Sequence, residues 1–199
     1  MSKQDFNNIP EIIDELNALN NLTVRIGVIN GNDFIEMIAV VNEYGTTIRP
    51  KNAKWLCIPS PLAKGRKPSE IPGLFRPKGK FILAVANGGS LDVYFYLKDK
   101  VIIPERSYLR TTFDQNEDKY VNYLQKGVYK IVDGEVSAKE LLNGLGKIVK
   151  KDIRRAISLK SEPNNAPITV ANKGKDNPLI DTGKLLLSID SEVTSVDKN

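Results

Sequence analysis

The sequence predicts an α+β fold, in which a mixed, mostly antiparallel sheet packs against two or more helices. Two observations predict this class. Short segments rich in β-branched residues follow one another through the middle of the chain, and segments with helical spacing of apolar residues lie on both sides of them. With 199 residues, of which 41% are hydrophobic, the chain can form one domain with a substantial core. We therefore expect a single structural domain over residues 1–199.

The first 45 residues predict a helix, a strand and a second helix. Apolar residues recur at three- and four-residue intervals over 9–20, and they alternate with polar residues over 22–29. In the second helix Asp33 is the expected cap and Gly45 the expected stop. Its expected apolar stripe consists of Phe34, Met37, Ile38, Val41 and Tyr44.

Residues 47–80 differ in composition from the rest of the chain. They contain six prolines and nine basic residues against the single acid Glu70, a local net charge of +8, whereas the whole chain carries +5. Around a short strand at 54–58 they predict a long basic loop excursion, and such loops are usually functional or ordered by a partner. Cys57 lies in the apolar run of that strand and is expected to be buried. The residues expected to make contacts from this basic loop are Lys64, Arg66, Lys67, Arg76 and Lys78.

The rest of the chain predicts three strands followed by two long helices. Strands are expected at 80–86, 92–97 and 101–103, with a hairpin turn at 87–90, and Pro104 ends the sheet. Ser107 is the expected cap of a helix that reaches residue 129. The pattern Ser137-x-x-Glu140 predicts a capping box that opens a helix to about 159. A mobile polar loop is expected at about 161–178, and 185–193 fits a helical turn or a strand equally well.

The composition and the motifs disfavour an enzymatic function. The chain has no histidine, which removes the commonest general base and metal ligand, and a single cysteine excludes an internal disulfide. It shows no Walker-type phosphate loop and no Gly-x-Ser-x-Gly nucleophile elbow. We expect no enzymatic activity, no catalytic residue, no cofactor and no metal. The absence of an apolar signal core or of about 20 consecutive apolar residues predicts a protein made in the cytoplasm without membrane contact.

Three short segments lie at the ends of predicted elements and between them contain charged, aromatic and glycine residues. The first, 42–46, reads as a helix end, with a glycine stop and Tyr44 packed on the sheet. Glu43 is out of place there because a carboxylate near a helix carboxyl end opposes the dipole. The second segment, 103–110, is a strand-to-helix corner in which Arg106 is the obvious partner for Glu43, either within one subunit or between two. The third, 179–189, reads as a turn with an aspartate cap, Asp181, that leads into an apolar segment.

Together these segments resemble those of the neck and tail-completion proteins of tailed bacteriophages. The carriers of the resemblance are Asn-Glu-Tyr-Gly-Thr at 42–46, Pro-Glu-Arg-Ser-Tyr-Leu at 104–109 and Asp-Thr-Gly-Lys-Leu-Leu-Leu-Ser-Ile at 181–189. The resemblance implies an α+β subunit of the virion that assembles into a ring at the head–tail junction. The structural or interface residues expected on this basis are Glu43, Tyr44, Gly45, Pro104, Arg106, Leu109, Asp181 and Gly183.

The partners implied by the resemblance are further copies of the chain and the neighbouring portal-side connector, tail-terminator or tail-tube proteins. Residues 47–80 are expected to contact a neighbouring protein, although non-specific contact with DNA is a second expectation for such a cationic loop. The alternatives to a neck protein are another tail component, such as a terminator, collar or baseplate protein, and a DNA-binding accessory protein that uses the basic loop.

Overall fold

The structure is a computed structural model that describes residues 8–196. Six α-helices and seven strands lie in that range. The helices are α1 (Ile9–Asn21), α2 (Asp33–Tyr44), α3 (Tyr108–Val132), α4 (Ala138–Leu159), α5 (Pro167–Lys173) and α6 (Lys184–Ser188). The strands are β1 (Leu22–Val28), β2 (Thr46–Ile48), β3 (Leu56–Pro59), β4 (Ile82–Asn87), β5 (Ser90–Lys98), β6 (Val101–Ile103) and β7 (Ile189–Ser195).

The strands form three small antiparallel sheets, and the α+β class predicted from the sequence is confirmed. Strand β1 pairs with β7 along its whole length, from Leu22 opposite Ser195 to Val28 opposite Ile189. Strand β2 pairs with β6, and the third sheet has the order β3-β5-β4. The first pair joins the two ends of the described chain, which local sequence patterns do not reveal.

The main core lies between the β1–β7 pair and the helices α2, α3 and α4. Helix α4 supplies its long apolar face, and the predicted capping box is present, because the Ser137 hydroxyl accepts from the Glu140 backbone while the Glu140 carboxylate accepts from the Ser137 backbone. The buried members of this core are Ile35, Ala39, Tyr108, Tyr120, Leu145, Val149, Ile153, Ile157, Leu179, Leu185 and Ile189.

The basic excursion folds onto the three-stranded sheet and has a small core of its own. Ala63 ends the first of two short 3-10 turns and Ile71 follows the second, and both are buried against Phe95 of β5. The prediction that Cys57 is buried is wrong: its side chain is exposed. The physical reason is the two-residue period of strand β3, which directs Leu56 and Ile58 to one face and Cys57 to the other.

After α4, one segment has a different secondary structure from the predicted one, and a second segment, for which two predictions were open, contains both. The polar stretch expected as a loop contains the short helix α5, which begins at Pro167, a residue suited to the first helical position. The stretch that fitted either a helical turn or a strand contains both, since α6 runs directly into β7. Within residues 8–196 no helix has the length and apolar content required to cross a membrane.

Helix α2 is oriented differently from the prediction. Its buried residues are Ile35, Ala39 and Glu43, so most of the expected stripe does not face the core. Phe34, Met37 and Tyr44 are exposed, and only Ile38 and Val41 are partly buried. The helix is apolar on nearly every side, and its periodicity therefore does not specify which face is buried. Asn32, not Asp33, is its cap, with its side chain accepting from the Ile35 backbone at 3.0 Å.

Candidate functional site

The first two sequence segments meet at a corner between the carboxyl end of α2 and the amino end of α3. The chain leaves α2 through Gly45, whose φ of 68° favours glycine. A Cβ atom there would lie only 2.7 Å from the Glu105 backbone nitrogen. The Arg106 backbone N–H in turn donates to the Asn42 carbonyl over 2.8 Å. Glycine at 45 is thus what allows the two backbones to approach.

Glu43 is the centre of this corner and is only 3% exposed. Its carboxylate accepts from the backbone N–H groups of Leu109 at 2.9 Å and Arg110 at 3.0 Å. A carboxylate at the carboxyl end of its own helix is thereby placed at the amino end of another, where the dipole favours it. The predicted cap is wrong: Ser107 makes no side-chain capping bond, because Glu43 already accepts from the first turn of α3.

The basic partner of Glu43 is Arg110, so the predicted pairing with Arg106 is also wrong. The Arg110 Nε atom donates to Glu43 Oε1 at 3.1 Å, and this bond raises the pKa of Arg110. Arg106 instead donates from Nη1 to Asn42 Oδ1 at 3.0 Å and from Nε to the Pro163 carbonyl at 3.2 Å. Its backbone bond to Asn42 directs the side chain towards the segment after α4, where burial lowers the pKa of Arg106.

Tyr44 lies on the outside of the corner. It is 60% exposed, so the expectation that it packs on the sheet is wrong. The Arg110 guanidinium lies 4.6 Å from the centre of its ring and also contacts Glu105 at 2.7 Å. Pro104 is partly buried at the start of the corner, and the partly buried Leu109 packs against the main core. The corner therefore has a buried carboxylate, that of Glu43, and a half-exposed guanidinium, that of Arg110, beneath an exposed aromatic ring.

The third segment lies beside α2 but contributes no ionic group to the corner. Leu185 of α6 belongs to the same core cluster as Ile35 and Ala39 of α2. Gly183 precedes α6 with a φ of 81°, and there is no side-chain cap at that position, so Asp181 does not cap the helix as expected. Sequence reasoning missed Asn177, whose side chain accepts from the Leu179 and Ile180 backbones. The dipeptide Asn-Pro was the available signal.

The exposed side of α2 is an apolar surface. It carries four large side chains at helical spacing, each more than half exposed: Phe34, Met37, Val40 and Tyr44. The only charged residues of this helix are acids, Asp33, Glu36 and Glu43, and the last of these is buried. We call the four exposed residues the α2 stripe.

An apolar groove of about 840 Å³ lies between the β5–β6 turn and α5. Its walls are formed mainly by apolar side chains, while its edge carries Lys98 and Lys100 beside one acid, Asp99. The principal apolar residues are Ile58, Tyr96, Val101, Ile102, Pro167 and Ile168. We call this feature the α5 groove.

The five candidate contacts of the basic excursion fall into two groups. Arg66 donates to the Ala63 and Leu62 carbonyls and lies over the Tyr94 ring, while Arg76 donates to the Lys80 carbonyl. These two guanidinium groups are therefore held by the chain itself. Lys64, Lys67 and Lys78 are exposed.

Comparison with known proteins adds no assignment, since no protein-family model, curated protein or solved structure matches the chain. Within residues 8–196, no three His, Cys, Asp or Glu side chains are grouped in a way that could hold a metal ion. The features described above are the corner, the α2 stripe, the α5 groove and the basic excursion.

Proposed function

We propose that this protein is a structural subunit that assembles with copies of itself into a ring, at the neck or the top of the tail of a bacteriophage-like particle. The single observation that supports assembly best is the α2 stripe. The solvent side of a helix in a globular protein is normally polar, whereas α2 buries the side with Ile35 and Ala39 and still leaves four large apolar side chains more than half exposed on another side. The place in the particle rests on the sequence resemblance.

The α5 groove of a second copy is the occupant that fits the stripe. The stripe presents apolar side chains flanked by the acids Asp33 and Glu36, with no basic residue on the helix. The groove presents apolar walls flanked by Lys98 and Lys100 with the single acid Asp99 between them, and strand β3, which supplies Ile58 to its wall, belongs to the part of the chain with a local charge of +8. Such complementarity steers association and fixes the register of two surfaces.

The two surfaces are different parts of one chain, so their contact is head-to-tail. A head-to-tail contact repeats from copy to copy and produces a ring when the rotation closes. The Glu43 network has a role in this arrangement, because it fixes the end of α2 against α3 and thus holds the stripe at a defined angle. The corner is a positioning element, and the stripe and groove are the contact surfaces.

The test is the mass of the purified full chain in solution, measured by light scattering and native mass spectrometry over a range of concentrations. The wild-type protein should form closed oligomers, and Met37→Glu with Val40→Glu should shift it to monomers. Each substitution should weaken association by about tenfold or more, because a hot-spot residue at the centre of an interface contributes about 2 kcal/mol or more, and a tenfold change corresponds to about 1.4 kcal/mol.

A matched control is Tyr129→Glu on α3, which changes an equally exposed large residue, 72% accessible, outside both surfaces. The control should assemble like the wild-type protein. A wild-type chain that stays monomeric at all concentrations would contradict self-assembly. Electron microscopy of particles that carry the tagged chain tests the position in the particle separately. Rings found elsewhere than at the neck or the top of the tail would refute the proposed position but not self-assembly.

An accessory DNA-binding function through residues 47–80 has less support. Two of its five candidate cations, Arg66 and Arg76, are held by the backbone and aromatic rings of their own chain, and the three lysines lie along 64–78 without an α-helix that would place them in one row. Reversal of charge at Lys64 and Lys67 tests the contribution of this loop to oligomer formation.

A further inference from the structure

The second half of α4 carries a row of cations on one face. Lys147, Lys150, Lys151 and Arg154 occupy positions i, i+3, i+4 and i+7, which lie along one side of a helix. They line a shallow groove of about 280 Å³, and no other residue among 8–196 contributes to its walls. We call these four residues the α4 basic row. It is separate from the basic excursion and from the surfaces assigned to assembly.

Two members of the α4 basic row are fixed by the protein. The Lys150 ammonium donates to Asp190 at 2.6 Å, and Arg154 Nη2 donates to the Ile189 carbonyl at 2.8 Å. The hydrogen bond from Lys150 lowers the pKa of Asp190, which keeps this carboxylate ionised. These contacts hold the inner half of the row in place.

The outer two members, Lys147 and Lys151, are exposed and form no ion pair with any residue between 8 and 196. The Nε atom of Arg154 is buried and has no hydrogen-bond partner in the same range. Four cations therefore lie beside one carboxylate, that of Asp190. Like charges three and four residues apart on a helix repel one another. An anion placed over the row would relieve that repulsion.

The chemistry of the row indicates the class of anion. A protein interface requires an apolar centre, whereas the groove has only cationic walls. No aromatic side chain lines it, which disfavours the base stacking that single-stranded nucleic acids use. Seven residues of α-helix span roughly 10 Å, and that length covers about three of the 3.4 Å axial steps between phosphates on one strand of a duplex.

We infer that the α4 basic row binds the phosphate backbone of double-stranded DNA without reading its sequence. Lys147 and Lys151 contact phosphates directly, while Arg154 and Lys150 supply a fixed positive field beneath them. This inference does not depend on the ring proposed above, because it concerns a surface that a single chain already presents.

The test measures binding of the full chain to a fluorescein-labelled 30-base-pair duplex by anisotropy, across a series of salt concentrations. Lys147→Glu with Lys151→Glu should weaken binding by at least tenfold at low salt. It should also reduce the slope of log K against log salt by about 2, because each neutralised phosphate contributes roughly 0.9 to that slope. Lys147→Gln with Lys151→Gln should produce a smaller loss in the same direction.

The matched control is Lys64→Glu with Lys78→Glu in the basic excursion, which changes net charge equally at two exposed lysines. It should keep most of the affinity and the salt slope. The inference would be overturned by equal losses of affinity in both variants or by a wild-type chain that does not bind the duplex. It would also be overturned if poly-glutamate competed more strongly than unlabelled duplex, a result that would point to an acidic protein partner. Circular dichroism confirms that each variant is folded before its binding is interpreted.

Discussion

Replacement of Glu43 by alanine is the most informative perturbation of the corner. The carboxylate is 3% exposed and accepts two backbone N–H groups from the first turn of α3 together with Arg110 Nε. Loss of a helix cap costs about 0.5–2 kcal/mol. Loss of a hydrogen bond to a charged group costs about 1.5–3 kcal/mol.

The expected total for Glu43→Ala is a loss of about 2–4 kcal/mol in the free energy of unfolding. It stays near or below the 3–5 kcal/mol of a fully broken buried ion pair, because the Arg110 side chain is 48% exposed and becomes hydrated once its partner is gone. In a chain of 199 residues this corresponds to roughly 5–15 °C in the melting temperature.

The assay is urea unfolding at one fixed protein concentration, since self-association raises apparent stability. Glu105→Ala is the matched control, because Glu105 also bonds Arg110, at 2.7 Å, but is 53% exposed. This control should change stability by less than about 1 kcal/mol. If the two variants lost the same stability, the capping role assigned to Glu43 would be refuted. Glu43→Gln, which keeps the shape and one acceptor oxygen, should fall between them.

Three further substitutions test the packing and the electrostatics. Gly45→Ala should destabilise by about 2–4 kcal/mol in urea unfolding, because it strains a positive φ and places a methyl group 2.7 Å from the Glu105 nitrogen. Gly127→Ala should destabilise by about 1–2 kcal/mol in the same assay even though alanine favours helices, because the added methyl overlaps Leu141; unchanged stability would contradict this close packing. Asp190→Asn should destabilise at pH 7. That difference should vanish as pH falls through the folded-state pKa of Asp190, which the hydrogen bond from Lys150 holds below its ordinary value, since a lowered carboxyl pKa stabilises the fold only while the group is ionised. Unfolding curves at a series of pH values from 7 down into the acid range check it.

The sequence predicted the long elements because each has a strong local signal. The capping box at Ser137 and Glu140, the helical spacing through α4 and the glycine stop at Gly45 were all found where expected. The anomaly at Glu43 was also visible, since an acid at a helix carboxyl end requires a partner. The partner was assigned wrongly because Arg106 and Arg110 lie only four residues apart. In the structure Arg110 lies in the first turn of α3 and donates to Glu43, whereas Arg106 precedes the helix and donates to Asn42 and the Pro163 carbonyl.

The α4 basic row was present in the sequence but was not recognised as a site. Its four cations have helical spacing, yet many surface helices have charges at such positions. What distinguishes this row is that Asp152, between its members in the sequence, points away to Lys119 and Tyr120 on α3. A group of four cations with one carboxylate, that of Asp190, is therefore a property of the folded surface.

Local sequence by itself determined helices α1 to α4 and strands β1 and β3 to β6, the exclusion of histidine chemistry and the concentration of positive charge in residues 47–80. These depend on hydrogen bonds and spacings within a few residues of the chain. Tertiary structure alone decided which face of α2 is buried, which arginine meets Glu43, and that β1 pairs with β7. The reason is that α2 is apolar on both sides and the pairing strands are distant in sequence, so the choice depends on the combined burial of all the elements.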